Sequence, residues 1–149
     1  MDKDTGVSKI IDKIHEEYPW LYLNYIDESD ITFRPESEDD NIEYKKTLCN
    51  CDEEKVVKYS LQMERRMSRS NKRTAKYVIG VMDDGEIIGL DEDELEGSIH
   101  MFVKITKSVY ASVIIMDIMG VKNGHIIMAG VRKKKMKNED NTFFSDSWN

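Results

Sequence analysis

The sequence predicts an α+β fold in which helices cover one face of a mostly antiparallel sheet. Strand-like and amphipathic helical segments alternate in the order β-α-β-β-α-β-β between residues 41 and 135. Asp84-Gly85 and Asn123-Gly124 each separate two strand-like segments, and such dipeptides are typical of tight hairpin turns. The chain has 149 residues, 40% of them hydrophobic, which is sufficient for one core.

An amphipathic helix and an acidic linker precede this core, in a first region of residues 1–40. The apolar side chains of the helix recur at spacings of three and four: Val7, Ile10, Ile11, Ile14 and Tyr18. Asp4 or Thr5 can cap the helix, and Pro19 ends it. We expect WLYLNYI to lie extended on the core and residues 27–40 to form a surface linker.

The core domain, residues 41–135, begins with a strand and a helix. NIEYKKTL at residues 41–48 is short and bounded, and we interpret it as a strand. Asn50 followed by Glu53 is typical of a helix start, and we expect the helix to continue to about Ser70. One side of this helix is strongly basic. The apolar stripe on its other side consists of Val56, Val57, Leu61, Met63 and Met67.

Two predicted hairpins flank the second helix of the core. AKYVIGVM at residues 75–82 and EIIGL at residues 86–90 are expected to pair antiparallel. Asp84-Gly85 suits a type I′ turn between them, because glycine adopts positive φ without steric strain. YASVIIMDIMG and HIIMAGVRKKK, joined by Asn123-Gly124, form the last hairpin. Residues 136–149 then form an extended basic and aromatic tail.

Asp91 marks the start of the second core helix. Its side chain can cap the first turn, where acidic residues lie at the positive end of the helix dipole. The acidic residues of this turn are Glu92, Asp93 and Glu94. The face that we expect to be buried consists of Leu95, Ile99, Phe102 and Val109.

Charged residues are segregated along the chain, whose net charge is −7. Residues 1–54 contain sixteen acidic and six basic side chains, whereas residues 55–82 contain one acidic and eight basic side chains. Residues 83–100 contain eight acidic and no basic side chains, and residues 101–149 contain eight basic and four acidic ones. Blocks of one sign create local potentials, so the total charge does not exclude a nucleic-acid partner. The alternative is that each block is a solvated face.

The sequence predicts a cytoplasmic monomer with no cofactor and no membrane association. The longest apolar run, SVIIMDIMG, contains Asp117 and is shorter than the roughly 20 residues of a membrane span. The segment MDKDTGVSK lacks the apolar core of a signal peptide. Cys49 and Cys51 are one residue apart with no histidine pair nearby, so we expect reduced thiols rather than a zinc site.

Nucleotide-binding and nucleophile motifs are absent from the sequence, and we expect no enzymatic activity and no small-molecule substrate. The sequence contains no G-x-x-x-x-G-K-[ST] and no G-x-G-x-x-G, so the usual phosphate-binding loops are missing. His15, His100 and His125 are on three different predicted elements. None of them is beside a serine or cysteine in a recognisable nucleophile motif.

Three segments of the core resemble the domain that precedes the GTPase module in the elongation-factor-like GTPases called GTP-binding proteins one and two. They are NIEYK at 41–45, LQMERRM at 61–67 and YVIGVMDDGEIIGLDEDELEGSI at 77–99. The resemblance extends over about residues 41–135 and implies a role in translation at the ribosome. RKKKMKNEDNTFF stands where those proteins begin their GTPase module, so GTP hydrolysis is not implied.

As a free-standing domain, the chain is also similar to the ribosome dormancy factor of microsporidia. That similarity implies a protein that lies in the tRNA exit site of an idle ribosome. It also implies contacts with ribosomal RNA and with neighbouring ribosomal proteins, although it assigns no individual contact residues.

Three carboxylates form an alternative site. Glu38, Glu43 and Asp83 are predicted at the first strand and the first hairpin, where they could converge on a divalent cation. The first half of the core also resembles the Schlafen-type AlbA-like core, which carries a nuclease site of E-x-K and a nearby Asp. Glu38, Glu43, Lys45 and Asp83 match that pattern. Such a core usually needs two copies to close around RNA, and this chain contains one.

Two groups of basic residues favour RNA contact independently of these resemblances. The first lies at the end of the first core helix and in the following loop: Arg65, Arg66, Arg69, Lys72, Arg73 and Lys76. The second combines cations with aromatic residues near the end of the chain: Arg132, Lys133, Lys134, Lys135, Lys137, Phe143, Phe144 and Trp148. Cations bind phosphates, and aromatic rings stack on unpaired bases. The alternative for the tail is that its aromatic residues fold back on the core.

From the sequence we therefore expect a non-enzymatic ribosome hibernation factor. It would bind ribosomal RNA and ribosomal proteins on two basic surfaces and occupy a tRNA site, with the exit site implied by the resemblance. The acidic segment from Asp83 to Glu96 would face solvent or basic ribosomal protein tails. The alternatives are a metal-dependent RNA endonuclease and a protein-interaction adaptor without RNA contact.

Overall fold

A computed structural model of the chain describes residues 6–27, 30–37 and 41–135. The elements in chain order are α1 (Gly6–Glu17), β1 (Leu23–Ile26), β2 (Ile42–Lys45), α2 (Glu53–Arg69), β3 (Thr74–Ile79), α3 (Glu92–Ser108), β4 (Ala111–Val121) and β5 (Gly124–Lys133). Helices and sheet together confirm the predicted α+β class. The caps expected at positions 4 and 5 and the tail at 136–149 lie outside the described residues.

The sheet has five strands in the order β1-β4-β5-β3-β2. β5 is central and pairs antiparallel with β4 on one side and with β3 on the other, in the two longest ladders. The edge strands pair parallel, β1 with β4 and β2 with β3. The sheet is therefore mostly antiparallel, as predicted. The segment WLYLNYI supplies the edge strand β1, whose Leu23 lies opposite Met116.

The main core lies between the sheet and the three helices, which all pack on one face. Val7, Ile10 and Ile14 of α1 are buried there, which confirms the interpretation of their spacing. α3 buries Leu95, Ile99, Phe102 and Ile105. Phe102 meets Tyr77 of β3 edge to face, with ring centroids 5.3 Å apart. Within the described ranges, no helix combines the length and apolarity needed to cross a membrane.

Residues 30–37 pack on the opposite face of the sheet. Ile31 and Phe33 contact a smaller apolar cluster that includes Tyr44 and Val78. The Tyr44 hydroxyl donates to the Arg34 carbonyl at 2.6 Å. The interpretation of this segment as a surface linker was therefore wrong for its apolar residues. Their side chains cover sheet residues that would otherwise remain in water.

α2 has two apolar faces rather than the single stripe that the sequence predicted. Val56, Met63 and Met67 are buried, whereas Val57 and Leu61 are 57% and 60% exposed. The buried positions are seven and four residues apart and share one side of the helix. Val57 and Leu61 lie about 100–140° around the helix axis from them. The prediction was therefore wrong for these two residues.

Residues 80–90 form a compact turn region, and the strand predicted at 86–90 does not form. Positive φ angles interrupt the extended backbone at Gly80, Gly85 and Gly89. The predicted antiparallel pairing is reduced to one bridge between Val81 and Ile87. The Gly85 N–H donates to the Met82 carbonyl at 2.9 Å, so Asp83 and Asp84, not Asp84 and Gly85, are the central residues of the turn. The Met82 N–H donates to the Glu86 carbonyl at 2.9 Å and closes a loop of residues 83–85. This three-residue loop replaces the predicted type I′ turn.

α3 begins with a capping box. The Asp91 carboxylate accepts from the Glu94 N–H at 2.8 Å, and the Glu94 carboxylate accepts from the Asp91 N–H at 3.1 Å. Asp91 is therefore confirmed as the cap. The β4–β5 hairpin is also confirmed, but Lys122 and Asn123 occupy its turn, because Val121 pairs directly with Gly124.

The two faces of α2 give a stability prediction. Met63→Ala is expected to lower the free energy of unfolding by about 2–4 kcal/mol, because it leaves a cavity in the core. Leu61→Ala, on the exposed face of the same helix, is expected to change it by no more than about 0.5 kcal/mol. Urea denaturation of both variants measures the difference. Equal losses would show that Leu61 is buried as the sequence first suggested.

Candidate nucleic-acid interface

The antiparallel register of β3 and β5 brings two distant basic segments together. Thr74 lies opposite Arg132, and Lys76 lies opposite Gly130, so Lys76 and Arg132 are on the same face of the sheet. The Lys133 N–H donates to the Arg73 carbonyl at 2.9 Å. The described parts of the two basic groups, which we expected on separate surfaces, therefore adjoin.

We call this surface the basic end, because it lies where β3 begins and β5 ends. Its exposed cations are Arg65, Arg69, Lys72, Arg73, Lys76, Arg132, Lys134 and Lys135. Arg65 and Arg69 are four residues apart in the last turns of α2 and share one side of that helix. The remaining cations lie on strands and on the segments that flank them. Residues separated by up to 70 positions in the sequence thus share one site.

Acidic residues gather at the opposite end of the sheet, beyond the last residue of β3. Asp83, Asp84, Glu86, Asp91, Glu92 and Asp93 are all exposed there. Helix dipoles account for part of this separation, because α3 has acids in its first turn and Lys107 in its last. They do not account for Lys76 or Arg132, which are on strands. The strand and loop cations therefore need an explanation outside helix stability.

Two of the predicted RNA-binding cations are used inside the fold. Arg66 and Lys133 each have a side chain that is 15% exposed. The Lys133 ammonium bonds to the Glu64 carboxylate at 2.8 Å and to the Val109 carbonyl. It therefore ties the last strand to α2 and to the end of α3.

Arg66 is the centre of a partly buried charge network between α2 and β2. Its Nε donates to Glu43 Oε1 at 2.7 Å, and its Nη2 lies 3.5 Å from Glu36 Oε2. Lys45 Nζ lies 3.2 Å from the other Glu43 oxygen and donates to Gln62 Oε1 at 2.9 Å. Burial raises the pKa of Glu36, and the nearby Glu43 carboxylate adds to the rise. The network joins the segment 30–37 to α2.

The structure brings together three of the four residues predicted for the alternative carboxylate site. Glu43, Lys45 and Asp83 line one cleft of about 680 Å³ together with Glu36. Glu38 lies outside the described residues. Both Glu43 oxygens are engaged by cations. In the part of the chain that the structure describes, no three His, Cys, Asp or Glu side chains are placed to hold a metal ion.

Two exposed aromatic rings at the basic end were not identified from the sequence. Tyr110 is 45% exposed and Trp20 is 54% exposed. Lys134 and Lys107 lie over these rings. The sequence carries no signal for this arrangement, because it depends on where α3 ends relative to β5. The aromatic and basic residues predicted in the tail, Lys137, Phe143, Phe144 and Trp148, lie outside the described residues.

The cysteines lie away from the basic end. Cys49 and Cys51 are free thiols, as the sequence predicted. Burial raises the pKa of both groups, and the acidic start of α3 adds to the rise at Cys49. Both thiols therefore stay protonated at neutral pH and are poor nucleophiles.

Comparison with known proteins identifies a close relation to a viral protein. The chain is 35% identical over 141 residues to the uncharacterized protein R625 of Acanthamoeba polyphaga mimivirus. The match covers 95% of this chain and 75% of R625. The chain belongs to the R625 family. No protein-family model matches the chain.

The chain itself is also similar to part of a GTP-binding protein. It is 34% identical over 82 residues to GTP-binding protein 2 of mouse and of human. The match covers 55% of this chain but 14% of the length of GTP-binding protein 2. The resemblance noted from the sequence motifs is therefore supported at the level of a domain related to a GTPase.

Adjacent arginines on α2 give a second stability prediction. Arg66→Ala is expected to lower the free energy of unfolding by about 3 kcal/mol, because it leaves Glu43 partly buried beside a single cation. Arg65→Ala, on the exposed side, is expected to change it by no more than about 0.5 kcal/mol. Thermal and urea denaturation at pH 7 separate the two. Arg66 would not belong to the network if both variants were equally stable.

Proposed function

We propose that the chain is a non-enzymatic RNA-binding module that associates with the ribosome and keeps it idle by occupying a tRNA site. The observation that carries the proposal is the union of two basic segments at one end of an acidic protein. Lys76 and Arg132, on adjacent strands, are the centre of this surface. The two side chains are diagonal neighbours across the β3–β5 ladder, where like charges repel, and an anionic partner would relieve that repulsion.

The geometry of the basic end suits a phosphate backbone. Adjacent strands are about 4.8 Å apart, so the cations of β3 and β5 can meet neighbouring phosphates. Binding of this kind releases counterions and is strongly salt-dependent. The acidic end is repelled by the same polymer, so the protein would contact RNA through one end only.

Two resemblances support the ribosome as the source of the RNA. The motifs shared with elongation-factor-like GTPases imply translation, and the similarity to GTP-binding protein 2 agrees with those motifs. The resemblance to ribosome dormancy factors adds the tRNA exit site and the idle state.

A charge-reversal pair tests the proposal. Lys72→Glu with Arg132→Glu is expected to abolish co-sedimentation with ribosomes at physiological salt. For binding of ribosomal RNA fragments, the slope of log affinity against log salt should fall by roughly 1.4 to 1.8, because two phosphate contacts are lost. Lys122→Glu is the matched control, since Lys122 is exposed in the β4–β5 turn at the opposite end. The control should bind like the unchanged protein.

Two outcomes would replace this proposal with the alternatives. Cleavage of tRNA in Mg²⁺ or Mn²⁺ that is lost in Glu43→Ala would establish a nuclease, because Glu43, Lys45 and Asp83 share a cleft. Ribosome association that survives reversal of Lys72 and Arg132 would instead favour a protein-interaction adaptor. Arg65 and Arg69 are the suitable further positions for charge reversal, because Arg66 also stabilises the fold.

A further inference from the structure

Two exposed aromatic rings at the basic end are each accompanied by a lysine. Lys134 Nζ lies 5.2 Å from the centroid of the Tyr110 ring, and Lys107 Nζ lies 5.8 Å from that of Trp20. Both distances are within the range of a cation–π contact. Lys134 also lines a cleft of about 260 Å³ with Trp20 and Lys107. Tyr110 lines a separate cleft with Val57 and Leu61. Lys134 is therefore a neighbour of both rings, although the rings lie in different clefts.

Tyr110 occupies a backbone position that glycine normally fills. It follows the last residues of α3 with φ +53°, and its N–H donates to the Lys107 carbonyl at 3.0 Å. A helix that ends in this way usually has glycine in the left-handed residue, because a side chain there is strained. A bulky aromatic residue at positive φ is uncommon. Tyr110 is 45% exposed, so burial in the core does not explain why tyrosine stands here.

We propose that Tyr110 and Trp20 each present a ring on which an unpaired base of single-stranded RNA stacks. This inference rests on the proposed RNA-binding function and specifies the kind of RNA that the basic end takes. The lysines beside the rings would bind the phosphates that flank a stacked base. Strain at Tyr110 is retained because the ring contacts a base, in agreement with the tendency of strained residues to occur at functional sites.

Stacking on these rings is possible for single-stranded RNA but not for the paired bases of a duplex. In a duplex the bases are stacked on one another, and their flat faces are not available to a side chain. In a loop or an unpaired end the faces are free, and aromatic rings stack on them with little preference among bases. Phosphate contacts by Lys72, Lys76 or Arg132 are available to both forms of RNA.

Tyr110→Gly is the variant that separates binding from folding. It removes the ring and relieves the strained backbone, so we expect an equal or higher Tm together with weaker binding. Affinity for a single-stranded oligouridine should fall about tenfold, which is in the range found for loss of one base–ring contact. Affinity for an RNA duplex of equal length should be unchanged. Tyr110→Phe keeps the ring and should bind like the unchanged protein.

Tryptophan fluorescence supplies a second readout. Trp20 and Trp148 are the two tryptophans of the chain, so Trp148→Phe leaves Trp20 as the single probe. Oligouridine should quench Trp20 in this background, and Trp20→Leu should lower affinity for the single strand but not for the duplex.

The outcomes distinguish this inference from the function on which it rests. Unchanged single-strand affinity in Tyr110→Gly, or equal losses for single strand and duplex, would overturn the stacking site alone. Salt-dependent binding abolished by reversal of Lys72 and Arg132 would then still support the RNA-binding function. If the unchanged protein bound neither form of RNA, both proposals would be overturned.

Discussion

The pairing of β3 with β5 is the contact on which the rest of the molecule depends. A single register, with Thr74 opposite Arg132, has two consequences on the two faces of the sheet. It places Tyr77 under the helices against Phe102, and it leaves Lys76 exposed on the other face, near Arg132. A shift of one residue would expose Tyr77 and bury Lys76, because side chains alternate along a strand. The core therefore fixes the charged surface.

Buried and exposed cations have different roles in this fold. Arg66 and Lys45 lie against the Glu43 carboxylate between α2 and β2, and Arg66 also contacts Glu36 of the segment 30–37. Arg65, one residue away from Arg66, is exposed at the basic end. Consecutive helical residues lie about 100° apart around the axis. Arg66 therefore stabilises the fold, whereas Arg65 contributes to the charge of the surface.

Local signals allowed much of this architecture to be predicted. The capping box at Asp91, the buried face of α3 and the β4–β5 hairpin all depend on residues close together in sequence. Long-range features were not predictable in this way. The parallel pairing of Leu23 with Met116 joins segments some 90 residues apart, and no turn signal records it. Arg65 and Arg66 are the same residue type at adjacent positions, so only the fold shows that their roles differ. The left-handed backbone conformation of Tyr110 was not predicted, because tyrosine seldom adopts it.

The separation of acids and bases along the sheet makes the protein an electric dipole as well as a net anion. In the field of a polyanion such a molecule experiences a torque that turns its positive pole forward before any contact forms. The torque acts over roughly 8 Å at physiological ionic strength, the distance at which mobile ions screen the field. Added salt should consequently lower the association rate constant by a larger factor than it raises the dissociation rate constant. A uniformly charged protein of the same net charge would simply be turned away.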